Sequence, residues 1–217
     1  GAPLDGETEI RKVAPYELAS RLSYFLWGSM PDPALFKAAA NGQLETKEQV
    51  AAQARRLLKD PRARSAVHDF HGQWLKLKHI EETEKDPDVY PEFDAELRPL
   101  LRAEAEAFLD HVIWDGAGDL DTMLSAPYTF MNQELAAYYG VAGPMTDAFE
   151  KVELPPGQAS GFLTQSGLLS VLAKANQASP IHRGKFVRES LLCQFIPPPP
   201  DNVDITPPEV DPNLPTR

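Results

Sequence analysis

The sequence predicts an all-α fold, an irregular multi-helix assembly that ends in a proline-rich extended C-terminal arm. Three observations carry this prediction. Apolar residues recur at three- and four-residue spacing in one segment after another, and no stretch alternates convincingly with period two. Residues that cap or open helices (Pro, Thr, Asn, Ser) precede many of these segments, and glycine closes several of them. From Pro197 onward the chain reads "PPPPDNVDITPPEVDPNLPTR", which can bury little apolar surface and favours extended backbone.

The elements follow in order. "APYELASRLSYFLWG" places Pro15 in a first helical turn, Leu18, Leu22, Phe25 and Leu26 at helical spacing, and Gly28 at the stop. "PDPALFKAAANG" reads as a short helix closed by Asn41 and Gly42. "TKEQVAAQARRLLKD" starts with Thr46 and Gln49 in a capping-box pattern. After Asp60 and Pro61, "DPRARSAVHDFHGQWLKL" puts Val67, Phe70, Trp74 and Leu77 on one face. "EETEKDPDVYPEFD" is a polar connector.

The longest helix, "DAELRPLLRAEAEAFLDHVIWD", either starts or bends at Pro99 and buries Leu101, Ala105, Phe108 and Val112. "SAPYTFMNQELAAYYG" holds a turn and a short helix between Asn132 and Gly140. "VAGPMTDAFEKVELPPGQASG" reads as a loop, with room for a short strand over 149–154. "FLTQSGLLSVLAKA" is an apolar helix, and Ser179 followed by Pro180 opens a last helix that runs to about Cys193. Short connectors and apolar stripes spread along the chain imply one compact helical unit over 1–196, with 81–92 the place for any internal boundary, and an arm or linker over 197–217. One or two of Val203, Ile205, Val210 and Leu214 are expected to anchor the arm in surface grooves of the helical body.

Composition narrows the function classes. A net charge of -11 repels a phosphate backbone and an anionic membrane surface, so nucleic acid is not an expected partner. No apolar run approaches the roughly 20 residues that a spanning helix needs, so no membrane insertion is expected. The start "GAPLDGETEI" has no basic and no apolar region of the signal-peptide kind. A single cysteine excludes an internal disulfide, and C-x-x-C-H, the haem c attachment motif, does not occur.

Four constellations could carry chemistry. His68 and His71 stand three apart on one helix, which aims both rings to one side as metal ligands require, with His79 or His111 as a third donor. The same spacing also fits two hydrogen-bonded histidines packed beside Trp74. Glu104, Glu106 and Asp110 offer carboxylates for an acid–base pair, or else a solvated acidic face paired with Arg98 and Arg102. Cys193 lies at a helix C-terminus, where the dipole raises a thiol pKa, and its apolar neighbours in "LLCQF" indicate a small buried core residue. Ser179, His182, Arg183, Lys185 and Arg188 form a local cationic group that could bind an anion, or pair with the acidic surface.

Several strings, "YELASRLSYFLWGSMPD", "FHGQWL", "APYTFMNQELAAYYGV", "GFLTQSGLLS" and "SPIHRGKFVRESLLCQFIPPPPDNV", occur in this order over nearly the whole chain. Together they resemble the successive uncharacterised domains of large planctomycete- and myxobacterial-type cytochrome c-like secreted proteins. The resemblance implies a bacterial, extracytoplasmic setting, periplasmic or secreted, and a haem c site in an adjoining segment. Within this chain no cofactor is expected, and the end at "NLPTR" has the look of an excised piece. The expected function is a non-catalytic helical module that positions a haem domain or docks a redox or surface partner. Two alternatives stand beside it: an enzyme domain, as a metal-dependent hydrolase or oxidoreductase subunit using His68 and His71, and a module binding extracellular polymer through exposed members of Trp27, Trp74, Trp114, Tyr138 and Tyr139.

Overall fold

A computed structural model describes residues 13–158, 161–198 and 200. These residues hold nine α-helices and one two-stranded antiparallel sheet, so the fold is mostly helical. The chain gathers into two compact units, 1–70 and 71–217, and the division falls inside one helix.

The first unit contains α1 (Pro15–Trp27), α2 (Pro33–Ala40), α3 (Lys47–Leu58) and the first part of α4 (Arg62–Trp74). Proline at the first turn and Gly28 in left-handed backbone (φ 66°) bound α1, as its sequence predicts. Its buried face is made by small residues and one indole rather than by the larger apolar residues at helical spacing. Ala19, Ser23 and Trp27 face inward, whereas Phe25 is 82% exposed. Small residues at 19 and 23 allow close approach of the neighbouring α2 and α3, and the indole fills the end of that seam. Trp27 Nε1–H donates to the Leu57 carbonyl at 2.8 Å, and the Arg62 guanidinium lies 3.5 Å over the ring.

Asp32 caps α2 by accepting from Leu35 N–H at 2.8 Å and also takes two bonds from Arg56, at 2.7 and 3.0 Å. Thr46 and Gln49 form the reciprocal capping box at the start of α3. On α4, Phe70 is exposed rather than part of the buried face.

The second unit is organised around α5 (Leu97–Asp110). Asp94 accepts from the N–H groups of Leu97 and Glu96 at 2.8 and 2.9 Å, so the helix starts before Pro99, which sits harmlessly in its first turn. Leu101, Ala105, Phe108 and Val112 are all buried, the last on a π-helical turn that extends α5. After α6 (Leu120–Ser125) comes β1 (Tyr128–Met131), then α7 (Gln133–Tyr139), then β2 (Glu150–Glu153). β1 and β2 pair antiparallel, with Thr129 opposite Val152 and Phe130 opposite Lys151. Thr129 and Met131 point into the core and Tyr128 and Phe130 point away, the alternation a strand requires.

Asn132 caps α7 and Gly140 ends it, as predicted. Finally α8 (Ser166–Leu172) and α9 (Pro180–Phe186) close the unit, and α9 runs on through a π turn over 187–191. One apolar cluster unites these elements, with Phe108, Met131, Leu135, Phe162 and Leu168 at most 2% exposed.

Cys193 is a correction. It is exposed, not buried, and has φ 51°. The last turn closes with Gln194 N–H donating to the Arg188 carbonyl at 2.8 Å, which forces the residue before it into left-handed backbone and turns its side chain out of the core. The arm, including Val203, Ile205, Val210 and Leu214, lies outside the described residues except at 197, 198 and 200, which are neither helix nor strand.

Candidate functional site

The most distinctive chemistry in the second unit is a carboxylate sealed in the core. Glu104 projects from the inward face of α5, between Leu101 and Phe108, and is 0% exposed. Two neighbouring elements supply its partners. The Thr129 hydroxyl of β1 donates to Oε1 at 2.6 Å, and the Tyr139 hydroxyl of α7 reaches both carboxylate oxygens, at 3.0 and 2.9 Å. A second layer orients these donors: Gln165 Nε2–H donates to the Thr129 hydroxyl at 3.1 Å, and Ser166 N–H donates to the Tyr139 hydroxyl at 2.9 Å. Every bond in the chain therefore points its proton toward Glu104.

Among the described residues no cation pairs with Glu104, so hydrogen bonds from neutral hydroxyls hold its charge. Burial pushes the Glu104 carboxyl up from 4.5 to about 7, against the lowering effect of the Thr129 and Tyr139 hydroxyls. Burial also drives the Tyr139 phenol upward, with the Glu104 charge acting in the same direction. The Gln165 Oε1 is buried with no hydrogen-bond partner among the described residues. This arrangement can hold a proton at neutral pH, and it ties α5, β1, α7 and the start of α8 together. It cannot touch a substrate, because no part of Glu104 reaches the surface. The predicted alternative of a solvated acidic face holds for Glu106, which pairs with Arg102 at 2.9 Å, and fails for Glu104. The signal was present: position 104 stands three after Leu101 and four before Phe108, inside the buried stripe.

The network ends at a cleft. Ser166, which supports Tyr139, also lines a hollow of about 230 Å³ walled by Tyr90, Phe93 and Tyr138. Lys85, Glu92 and Arg183 bring charge to the same hollow. Lys85 Nζ–H donates to the carbonyls of Ser170 and Lys174 at 2.8 and 2.9 Å, a fixed position at the C-terminal end of α8, and desolvation lowers its pKa.

The cationic group predicted as an anion site is divided between surroundings. Ser179 is buried and caps α9, accepting from His182 N–H at 3.3 Å. Arg183 borders the cleft just described. His182 and Lys185 line a separate hollow of about 310 Å³ with Lys76 and Glu189, and Lys185 pairs with Glu189 at 3.8 Å. Arg188 Nε–H donates to Gln194 at 3.1 Å.

His68 and His71, both half-buried, lie on α4 on either side of the division between the units. The His71 ring packs 5.9 Å from that of Trp74. His79 is exposed and bonds Glu82 at 3.1 Å, and His111 packs between Tyr128 and Phe130 at 5.6 and 5.1 Å. Among the described residues no group of three or more His, Cys, Asp or Glu is placed to hold a metal ion. Trp27 is buried and Trp74 is half-buried, its Nε1–H donating to the Ser190 carbonyl at 2.7 Å. Trp114 and Tyr139 are half-buried too, and only Tyr138 of the five aromatics proposed for polymer binding is exposed.

Fold and site together define a mostly helical module in which a sealed carboxylate, Glu104, binds the elements of the second unit to each other. The particular family follows from comparison: residues 13–141, more than half the chain, match the PSD4 family of proteins of unknown function (DUF1592), and the chain belongs to that family. Residues 159–217 match PSCyt3, a second family of unknown function (DUF1588). These are the successive uncharacterised domains that the sequence resembles. No curated protein and no solved structure gives a significant match. The junction between the two families is not a junction in the fold, since α5, β1 and α7 from the first share a core with α8 and α9 from the second. Among the described residues no helix is long and apolar enough to cross a membrane.

Proposed function

We propose that this chain is a non-catalytic helical module of an exported cytochrome c-like multidomain protein, and that it positions a haem-bearing domain or docks a redox or surface partner. The observation that carries this reading is the succession of the two family matches along one chain, the second under a cytochrome-type name. The site supports it physically. Glu104, the carboxyl best tuned for proton transfer near neutral pH, is closed off and committed to tying four elements together. Such a tie stiffens a scaffold, which is what holding a second domain in place requires.

Chemical cross-linking of the intact parent protein, read by mass spectrometry, tests the reading. Lysines of this module should link to the segment that bears C-x-x-C-H. Absence of any such link, with links inside the module still formed, would remove the positioning role. A turnover carried by this chain alone would replace the non-catalytic reading with the enzyme one.

A further inference from the structure

We propose that the cleft between the 85–93 segment and α7, α8 and α9 binds a small zwitterion with an apolar body, of the α-amino acid type. The argument starts from two charges. Arg183 and Glu92 both border this hollow, and neither has an ion-pair partner among the described residues. Opposite charges on one wall that close on each other would be a simple surface salt bridge. Here they stay apart, so a ligand carrying both a carboxylate and an ammonium can satisfy the two at once. The guanidinium fork suits a carboxylate, which it can hold by two parallel bonds.

The apolar surroundings fit the rest of such a molecule. Tyr90, Phe93 and Tyr138 supply aromatic walls, against which an aliphatic or aromatic side chain packs and an ammonium is attracted to the ring faces. Burial raises the Tyr138 pKa and the Glu92 charge acts in the same direction, so acid and ring share one region. Lys85 also lines the hollow, but two of its N–H groups are already donated to the Ser170 and Lys174 carbonyls, which leaves Arg183 as the carboxylate's partner. At about 230 Å³ the hollow is smaller than the range typical of drug-sized ligands, which suits a single amino acid and not a polymer. Its floor is pre-organised, because Ser166 is anchored through Tyr139 to the sealed Glu104. The proposal goes beyond the module's scaffold role and stands without it.

Titration calorimetry on the purified chain tests it with L-phenylalanine, phenylalanine amide, which lacks the carboxylate, and N-acetylphenylalanine, which lacks the ammonium. L-Phenylalanine should bind at sub-millimolar concentration, and loss of either charge should weaken binding about tenfold or more. Arg183→Gln should abolish the preference over the amide, and Glu92→Gln the preference over the N-acetyl compound. Both residues are exposed, so unchanged circular dichroism and melting temperature should accompany each change. No binding of L-phenylalanine or L-leucine at about 10 mM would overturn the proposal. So would equal affinity for the three compounds, or a preference that survives both substitutions. Cross-linking of the parent protein does not depend on this cleft, so the two readings fail separately.

Discussion

Replacing Glu104 by glutamine keeps the shape of the side chain and removes its charge at every pH. The wild-type carboxyl titrates at 4.5 in the unfolded chain and at about 7 when folded. Because the folded value is raised, the native state binds the proton more tightly. The stability contributed by that proton is complete below about pH 4.5, declines as pH rises, and is gone above about pH 7. A rise from 4.5 to about 7, at about 1.4 kcal/mol per unit, makes the loss about 3 kcal/mol across this window.

The glutamine variant does not titrate. It does upset the donor chain, since its amide N–H₂ faces a Tyr139 hydroxyl that already accepts from Ser166, at a cost of about 1–2 kcal/mol independent of pH. The variant should therefore be less stable than wild type at pH 4.5 and equal or more stable at pH 8. Urea unfolding at both pH values measures the difference between the two proteins, in which the titration of all other groups cancels. A difference that stays constant from pH 4.5 to pH 8 would refute the reasoning, because it would mean that burial does not raise the Glu104 pKa.

Further outcomes follow from the same geometry. Tyr139→Phe removes a donor from Glu104 and strands the Ser166 N–H, so it should cost about 1–3 kcal/mol in urea unfolding and move the titration of Glu104 upward in pH. Gly161→Ala should cost about 2 kcal/mol or more, because a Cβ there meets the Leu124 carbonyl group at φ 62°, next to the bond from Gly161 N–H to the Ala126 carbonyl; an unchanged melting temperature would contradict this. Cys193 should react fully with a thiol reagent under native conditions, and a thiol that labels only in denaturant would contradict its exposure.

The fold was legible where local chemistry decides it. Thr46 with Gln49, Asn132 with Gly140, and Ser179 with Pro180 bound their helices through contacts made within a few residues, and the sequence shows both partners. The β1 strand was not legible, because four residues are too few for a period to show, although Tyr, Thr and Phe favour a strand. The buried face of α1 was not legible for a different reason. Ala19 and Ser23 are weak markers of a core, yet they face inward because neighbouring helices come close there, and larger Phe25 is left outside.

Glu104 shows how far one sequence reaches. Its place in the stripe of α5 is visible, and that alone is a contradiction: an acid where the pattern demands an apolar residue. What resolves it comes from 25 and 35 residues away in the chain, as the hydroxyls of Thr129 and Tyr139. A carboxylate that depends on partners so distant binds stability to the assembled unit rather than to any helix. It also spans the two family matches, since Glu104, Thr129 and Tyr139 belong to one while Gln165 and Ser166 belong to the other. A cut between those families would leave Glu104 with its two hydroxyl donors on one piece and the groups that orient those donors, Gln165 and Ser166, on the other, so the tie across all four elements needs both.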